Sequence, residues 1–335
     1  MKKITFLRLK SSKFGGAENY LVRLTNELKN KGIEYEIRYS SAPKFLSSWL
    51  KAIWYNLEVC ISKKDKFYFS LERVICPDIY RAGDGVHKVF LEVEKKSKLN
   101  PLHFVYLFIE KRMFKNAKKI IANSKMVKQQ IIDTYNINEN KIKVIYNGIP
   151  LKPMIDFSDI KKEFNLKDEK ILLYVGSGFK RKGVKEVIEI ASKLKNYKLF
   201  IIGKEKKIDE YKSYAKSLGV DAIFTGVRSD VDKFYSLADL FLFPTHYEPF
   251  SNVVLEAMSF KCVVFTTAQN GASEILDEKF IMKNPQDYKI DLIQKLIDND
   301  DFLDDMKIKN YKIVQNFSIE KNVDETLKVI NETIN

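Results

Sequence analysis

Twice along the chain, an apolar run of strand length leads through a glycine-containing loop into an amphipathic helix. The first unit is "KITFLRL" at residues 3–9, a loop with Gly15 and Gly16, and "AENYLVRLTNELKNKG" at residues 17–32. The second is "EKILLYVGSGFKRKGVKEVIEIASKL" at residues 169–194. Strands that alternate with helices favour parallel sheets, because each crossover helix returns the chain in the same direction. The pattern therefore predicts an α/β protein.

The restart of this pattern in the second half predicts two domains. A length of 335 residues exceeds what a single hydrophobic core usually spans. Pro150 and Pro153 interrupt the periodic pattern at the joint. We expect Rossmann-like domains at residues 1–152 and 153–315, with a C-terminal helix at about 316–335 packing back on the first. Two such domains are expected to face each other, so that the carboxyl ends of their strands line a shared cleft.

The positive charge of the chain is concentrated in its first half. Residues 1–150 hold 29 Lys and Arg against 14 Asp and Glu, a net +15, whereas residues 151–335 hold 29 against 30. This asymmetry predicts an anionic partner for the first half, which could be a membrane surface, a phosphorylated substrate or nucleic acid. A generally lysine-rich proteome is the alternative explanation, although it would make the second half basic as well.

Cysteine usage and hydropathy indicate a compartment. Cys60, Cys76 and Cys262 are widely spaced and form no CxxC motif, which predicts a reducing compartment and argues against a disulfide framework or a zinc site. The N-terminal apolar run contains Arg8 and is too short for the core of a signal peptide. No stretch reaches the roughly 18 uninterrupted apolar residues of a spanning helix. We expect a soluble cytoplasmic protein.

The two glycine loops are candidate anion sites of unequal strength. In "KFGGAEN", adjacent glycines permit close backbone approach at a helix N-terminus, but a plain tight turn explains them equally well. In "GSGFKRKG", residues 176–183, Arg181 and Lys182 follow Gly178 and precede the next helix. Fixed positive charge at that position suits a diphosphate. A solvated basic turn is the alternative.

The stretch "EPFSNVVLE", residues 248–256, holds two glutamates separated by seven residues. Ser251 or Asn252 is a predicted N-cap, which leaves the first-turn amides to meet an anion. Glu248 and Glu256 would then accept hydrogen bonds from hydroxyl groups on either side of a diphosphate. A nucleotide sugar has this form, with a ribose, a diphosphate and a sugar. For Glu256, a solvated helix residue is the alternative.

This stretch resembles the E-x7-E motif of the retaining glycosyltransferases of the GT-B fold, family 4. Supporting motifs occur in the same order as in the family: "GGAEN", "NSK", "YNGI", "GSGFKRKG", "FTGVRSDV" and "LFPTHYEPFSNVVLEAM". The resemblance extends over nearly the whole chain. It implies a GT-B fold in which the first domain binds the acceptor and the second binds the nucleotide sugar.

The resemblance also implies two sets of functional residues. The implied catalytic set is Glu248, Arg181, Lys182, Asp84 and His87. The implied donor-binding set is Gly15, Gly16, Gly178, Arg228, Phe250, Ser251, Asn252, Val253, Val254 and Glu256. No metal site is implied, and the "DND" at 298–300 is interpreted as solvated surface because no strand precedes it.

Each implied residue has a role in donor binding. Glu256 would hold the ribose hydroxyls and Glu248 would lie by the donor sugar, whose hydroxyls meet the backbone amides around residues 250–251. Arg181 and Lys182, with the amides of residues 253–254, would hold the diphosphate. The remaining roles are base contact for Arg228 and cleft lining beside the phosphates for Gly15 and Gly16. The family often has glycine where Ser251 and Asn252 stand.

The loop "YRAGDGVHKVFLE", residues 80–92, resembles one in bacterial lipopolysaccharide core glycosyltransferases, where it faces the reacting sugar. Asp84 and His87 are therefore candidates for hydroxyl contacts, with a purely structural histidine as the alternative. This likeness suggests UDP-glucose as donor and a lipopolysaccharide or lipooligosaccharide core, or a related glycan, as acceptor.

The implied reaction transfers a hexose with retention of configuration. Fixed positive charge would stabilise the leaving diphosphate, and the acceptor oxygen would lose its proton to that phosphate. The nucleotide sugar is a co-substrate, and no resident cofactor or metal is expected.

Residues 105–128 combine aromatic and basic side chains, as a helix at an anionic lipid surface does. We expect a peripheral protein at the inner face of the cytoplasmic membrane that meets a lipid-anchored or phosphorylated glycan acceptor. Aromatics in the core and merely solvated lysines are the alternative.

Two other functions compete. A sugar-phosphate synthase or phosphorylase on the same fold would use a soluble acceptor, which the basic first half does not favour. A nucleic-acid-binding protein would suit the pI of about 9.3, but it lacks a recognition motif and leaves the two glutamates unexplained. We therefore expect no nucleic-acid partner.

Overall fold

The computed structural model describes residues 3–10, 16–97 and 99–334, and the chain divides into two compact units. Unit 1 comprises Met1–Gly148 and Ile319–Asn335, and unit 2 comprises Ile149–Ser318. The chain therefore leaves unit 1 slightly before residue 152 and returns to it for the last helix.

Unit 1 is built on a parallel six-stranded sheet with the order β2-β1-β3-β4-β5-β6. Its strands are β1 (Ile4–Leu7), β2 (Tyr35–Arg38), β3 (Phe67–Ser70), β4 (Ile79–Ala82), β5 (Lys119–Ala122) and β6 (Ile142–Val144). Every residue of β1, β3 and β4 is buried, as expected for a parallel sheet with helices on both faces.

The helices of unit 1 come from both ends of the chain. They are α1 (Gly16–Asn30), α2 (Ser48–Ile61), α3 (His87–Val93), α4 (Pro101–Asn116), α5 (Lys125–Tyr135) and α14 (Ile319–Ile334). Leu21, Leu24 and Leu28 form the buried face of α1 and share one core with Val323 and Ile330 of α14. The last helix of the chain is therefore part of the core of unit 1.

Local sequence explains where α4 and α5 begin. The side chain of Asn100 accepts a hydrogen bond from the Leu102 amide, and Pro101 occupies the first helical position. Ser124 caps α5 in the same way, by accepting from the Val127 amide.

Unit 2 contains a second parallel six-stranded sheet, with the order β12-β11-β10-β7-β8-β9. Its strands are β7 (Lys170–Val175), β8 (Tyr197–Ile202), β9 (Ala222–Gly226), β10 (Leu240–Phe243), β11 (Val263–Thr267) and β12 (Ile281–Met282). Its helices are α6 (Ser158–Glu163), α7 (Phe179–Lys182), α8 (Val184–Ala191), α9 (Ile208–Ser217), α10 (Val231–Leu237), α11 (Asn252–Ser259), α12 (Ile290–Asp298) and α13 (Asp300–Val314). The predicted α/β architecture with two Rossmann-like sheets is confirmed.

Each sheet reverses its strand order at one point. In unit 1 the reversal lies between β1 and β3, and in unit 2 it lies between β7 and β10. Connections leave the two strands in opposite directions at such a point, which opens a crevice at their carboxyl ends. The carboxyl ends of the strands at these two reversal points are therefore the expected positions of ligand sites.

One pair of cysteines forms a disulfide, which the argument against a disulfide framework did not anticipate. Cys60 at the end of α2 is bonded to Cys76, with the two Cα atoms 5.8 Å apart. A separation of 16 residues gives no hint of this proximity, which arises because the segment before β4 folds back against α2. Cys262 is buried and unpaired. The cysteine spacing therefore carries no argument about a reducing compartment.

The prediction of one helix across residues 105–128 is wrong. This stretch contains the end of α4, all of β5 and the start of α5. Met113 and Phe114 are fully buried in the core, whereas Phe108 is 54% exposed. Within residues 105–128, all of which the structure describes, only the α4 portion therefore presents aromatic and basic side chains together at the surface. Among the described residues, no helix is long and apolar enough to cross a membrane.

Candidate active site

The candidate site of unit 2 lies at the carboxyl ends of β7 and β10, where the strand order reverses. The loop after β7 contains Gly176 and Gly178 and leads into α7, and the segment after β10 runs from Pro244 to the N-terminus of α11. The backbone of α7 is attached to this second segment, because the carbonyl of Arg181 accepts from the His246 amide at 2.8 Å and from Thr245 Oγ1 at 3.1 Å.

Gly183 permits this close approach. It adopts a φ of +80° between α7 and α8, and a Cβ atom at this position would overlap the carbonyl of Pro244. Both the backbone conformation and the space therefore require glycine. The tight join fixes the basic side chains of α7 beside the segment after β10.

Arg181 and Glu248 form an ion pair at this edge. Arg181 Nη1 donates to Glu248 Oε2 at 2.5 Å and to the carbonyl of Tyr247 at 2.7 Å. The backbone of Glu248 is itself held, because its amide donates to Gln269 O at 3.0 Å and its carbonyl accepts from the Gly271 amide at 2.9 Å. Both side chains are partly exposed, so the pair is rigidly placed and still accessible to a ligand.

Lys182 places a second cation beside this pair. Its Nζ lies 5.6 Å from the centre of the Phe243 ring, and its chain passes the Cα of Gly176. Gly178 has a φ of +79° and occupies the N-cap position of α7, so it turns the chain from β7 into the basic helix. The structure thus pairs Arg181 with Glu248 and places Lys182, the next residue, against the end of β10.

The N-terminus of α11 differs in detail from the prediction. Ser251 occupies the N-cap position but its side chain makes no capping hydrogen bond, and Phe250 and Ser251 are buried. The Val254 amide donates to the carbonyl of Ser251 at 3.2 Å, so the predicted contact of Val254 with a diphosphate requires this bond to break. Asn252 and Val253 are half-buried on the first turn.

Glu256 lies in the second turn of α11, eight positions after Glu248, and is half-buried. Burial raises the pKa of the Tyr235 hydroxyl well above its ordinary value, and the nearby carboxylate of Glu256 raises it further. The Tyr235 hydroxyl therefore lies close to this carboxylate.

Arg228 is held by acids rather than presented freely to a ligand. Its guanidinium donates to Glu163 at 2.9 and 3.0 Å and to Asp230 at 2.9 and 2.8 Å. These bonds raise the pKa of Arg228. Contact with a base would compete with two carboxylates, and the predicted role of Arg228 stays a prediction.

A polar cluster at the reversal point of unit 1 was missed in the sequence. Arg8, at the end of β1, donates to Glu72 at 2.6 Å and lies 3.5 Å from Glu18 of α1. Burial raises the pKa of the Glu72 carboxyl, and the neighbouring Asp84 acts in the same direction. The available signal was a charged residue directly after an apolar strand, which we interpreted only as an interruption of a signal-peptide core.

Asp84 and His87 lie at the same edge of unit 1, after β4, in different environments. Asp84 is exposed. His87 is buried, with Nε2 3.2 Å from His103 Nδ1 and its ring against Phe90 and Tyr106. Burial lowers the pKa of His87 to about 4, with further contributions from Arg73 and His103. These contacts favour a packing role for His87 over direct contact with a sugar.

Buried Glu110 of α4 anchors the loop that carries these two residues. It accepts from the His87 amide at 2.8 Å, from Arg73 Nε at 3.1 Å and from the Tyr135 hydroxyl at 2.7 Å. The loop is therefore tied to α4 as well as to β4.

The two remaining predicted residues lie at the start of α1. Gly16 is the first residue of that helix, and Gly15 lies outside the described residues. Within the described part of the chain, no group of three or more His, Cys, Asp or Glu side chains is placed to hold a metal ion.

Solved structures with this fold cover nearly the whole chain. The crystal structure of WaaG, a glycosyltransferase involved in lipopolysaccharide biosynthesis, superposes with a TM-score of 0.81 at 19% identity, over 98% of this chain and 99% of WaaG. Anabaena HepE in complex with UDP and glucose superposes with a TM-score of 0.77 at 17% identity, over 99% and 100% of the two chains. At these identities the likeness shows the fold, which is GT-B.

Two family models match the sequence. The model described as "Glycosyl transferases group 1" matches residues 156–314, and the model "Glycosyltransferase Family 4" matches residues 83–152. The chain belongs to the GT-B glycosyltransferases of group 1 and family 4. The group 1 model includes Arg181, Lys182, Glu248 and Glu256, and the family 4 model includes Asp84 and His87.

A curated relative of this glycosyltransferase chain is the capsular polysaccharide biosynthesis glycosyltransferase CapM of Staphylococcus aureus. It is 32% identical over 233 residues, which are 64% of this chain and 61% of CapM. The match therefore spans less than two thirds of that relative.

Proposed function

We propose that the chain transfers a hexose, with retention of configuration, from a nucleotide sugar to a lipopolysaccharide or lipooligosaccharide core or a related glycan. The observation that carries this proposal is the Arg181–Glu248 pair beside Lys182 at the reversal point of unit 2. UDP-glucose is the proposed donor. This choice is supported by HepE, a protein of the same fold whose complexes contain UDP and glucose or UDP-glucose.

The charge on the leaving diphosphate determines how these residues would act. Arg181 and Lys182 would stabilise the negative charge that grows as the glycosidic bond breaks, and a preorganised donor of this kind typically contributes roughly 2–4 kcal/mol. Glu248 fixes the guanidinium of Arg181 in place and offers its carboxylate to a donor hydroxyl. The leaving phosphate would accept the acceptor's proton, so the proposal needs no metal or resident cofactor.

Glu256 would bind the ribose, since its carboxylate lies one helical turn inside α11. At the reversal point of unit 1, Arg8, Glu72 and exposed Asp84 provide charged groups for a hydroxylated acceptor. The names of two similar proteins, a capsular polysaccharide enzyme and a lipopolysaccharide enzyme, support a surface glycan as the acceptor class.

The net +15 of residues 1–150 supports a membrane-attached, anionic acceptor. The proposed location is the inner face of the cytoplasmic membrane, where nucleotide sugars and lipid-anchored glycans meet. The basic, aromatic surface of α4 is the proposed contact.

Isothermal titration with UDP, GDP and ADP tests the donor, and NMR of the product's anomeric proton tests retention. We expect UDP to bind most tightly and UDP-glucose to give an α-linked product on a lipid-linked core acceptor. An inverted product contradicts the mechanism, and tighter binding of GDP or ADP contradicts the donor. Transfer to a soluble sugar phosphate alone would instead support a sugar-phosphate synthase.

A further inference from the structure

An apolar groove opens on the surface of unit 1 between α2 and α4. Its volume is about 610 Å³, within the range of roughly 300–1,000 Å³ typical of ligand pockets. One wall presents Ile53 and Leu57 of α2, and the other presents Phe104 and Phe108 of α4. On each helix the two residues are four positions apart, so each wall is a continuous apolar stripe.

The walls of this groove are open to solvent. Leu57 is 59% exposed, Phe104 is 62% exposed and Phe108 is 54% exposed. Trp54 and Ile61 extend the same apolar surface along α2. Scattered apolar side chains are ordinary on a protein surface, but a contiguous patch around a groove marks a binding site.

The lining offers little to a polar ligand. Its polar side chain, Asn56, already donates to Ala52 O and Arg73 O and accepts from the Ile75 amide. Cys60 is bonded to Cys76. A ligand that fills the groove must therefore be held by apolar contact, as a hydrocarbon chain is.

Three cations lie on α4 beside one end of the groove, where they could contact an anionic group of a ligand. Lys111, Arg112 and Lys115 lie on α4 directly after Phe108 and are exposed. Within the described residues, no carboxylate lies within ion-pair distance of these three, while the acid of α4, Glu110, is buried on the opposite side against His87 and Arg73. The guanidinium of Arg112 lies 3.8 Å from the centre of the Phe108 ring, so charge and apolar surface are adjacent.

We propose that the groove between α2 and α4 holds one hydrocarbon chain of an anionic lipid that remains in its bilayer. This inference rests on the proposed function, because the groove would be the point at which the chain contacts the membrane that carries the acceptor. The cations after Phe108 would contact the lipid headgroup. Because Glu110 of α4 binds the loop that carries Asp84, the same helix would connect the lipid groove to that loop.

The position of the tryptophans makes a direct test possible. Trp49 and Trp54 are the two tryptophans of the chain, and both lie on α2. The full-length protein is mixed with vesicles of phosphatidylcholine and phosphatidylglycerol whose acyl chains carry bromine, which quenches tryptophan fluorescence at short range. We expect strong quenching, and none with unbrominated vesicles of the same composition.

Matched variants distinguish lipid binding in the groove from non-specific binding of the protein to vesicles. Leu57→Arg should abolish the quenching, and Val227→Arg, at a 73% exposed site in unit 2, should not. Combined Lys111→Ser and Arg112→Ser should raise the vesicle concentration for half-maximal quenching roughly 30-fold, because each of the two cations contributes about 1 kcal/mol near an anionic surface and about 1.4 kcal/mol is a factor of ten. Circular dichroism and UDP affinity without vesicles show that each variant is folded.

Three results would overturn the proposal. The first is quenching that survives Leu57→Arg, and the second is vesicle binding without quenching. The third is a dimer that Leu57→Arg dissociates, since a second copy would then fill the groove. Failure of the proposed function is seen separately, as absent UDP binding or absent transfer to a detergent-solubilised acceptor.

Discussion

At the residue scale, the site of unit 2 depends on one ion pair whose members are far apart in the sequence. Arg181 holds Glu248 through a 2.5 Å hydrogen bond, and both backbones are fixed by further bonds to neighbouring loops. The charge of Arg181 is thus partly balanced before any donor arrives. In the proposed mechanism a diphosphate would compete with Glu248 for that guanidinium, so Glu248 would position Arg181 as well as accept a hydrogen bond from a donor hydroxyl.

The two glutamates should have separable effects. Glu256→Gln should weaken UDP binding about five- to tenfold, because one charge-assisted hydrogen bond to a hydroxyl becomes neutral. Glu248→Gln should leave UDP affinity nearly unchanged, since the amide oxygen can still accept from Arg181, and should lower kcat by roughly 100-fold. Titration calorimetry and initial rates measure both. Equal UDP affinity in the two variants and the wild type would contradict the assignment.

His87 should make unit 1 sensitive to acid. Its folded pKa is lowered to about 4 from an ordinary 6.5, so the unfolded chain binds a proton first as the pH falls. Stability should therefore decline from about pH 6.5 to about pH 4, and then cease to depend on this group. His87→Gln should flatten the decline. Urea midpoints followed by tryptophan fluorescence, which reports unit 1, measure it.

His246→Gln provides the control for this titration. His246 lies in unit 2, where its Nε2 is 2.8 Å from Glu186. Substitution there should leave the pH profile of the tryptophan signal unchanged. A His87→Gln profile as steep as that of the wild type would show that other groups cause the acid sensitivity.

At the element scale, the residues of α4 lie in three different environments. Phe104 and Phe108 line the open groove, Met113 and Phe114 are in the core, and Glu110 holds the loop before α3. Its 16 residues begin at an N-cap formed by Asn100, so a single helix supplies a groove wall, part of the core and the anchor of the loop.

The last helix, α14, should control the stability of unit 1. Ile330 is fully buried in the core with β1 and α1, so Ile330→Ala should lower the free energy of unfolding by about 2–5 kcal/mol. Glu332→Ala, at an exposed position, should change it by less than about 0.5 kcal/mol. Urea denaturation followed by tryptophan fluorescence reports unit 1, and UDP binding reports unit 2. An unchanged tryptophan transition in Ile330→Ala would exclude this role.

At the scale of the whole molecule, the two units share a sheet architecture, but the net charge lies in the first half of the chain. Both units have a parallel six-stranded sheet and one reversal point, yet residues 1–150 carry the net positive charge. The neutral second half contains residues 156–314, which the group 1 model matches and which include Glu248 and Glu256. A shared architecture thus carries different electrostatics in the two halves of the chain.

The sequence by itself determined the α/β class and its two-fold repetition, and it placed Arg181 and Lys182 in the glycine loop that follows an apolar strand. These follow from local periodicity and from short segments that end at strand termini, where parallel sheets collect their ligands. The tertiary structure alone decided that Arg181 binds Glu248, that Arg8 meets Glu72, that Cys60 meets Cys76 and that Phe108 is exposed while Phe114 is buried. Contacts between distant segments depend on how the helices pack on a sheet. Local sequence patterns predict the helices and strands but not that packing.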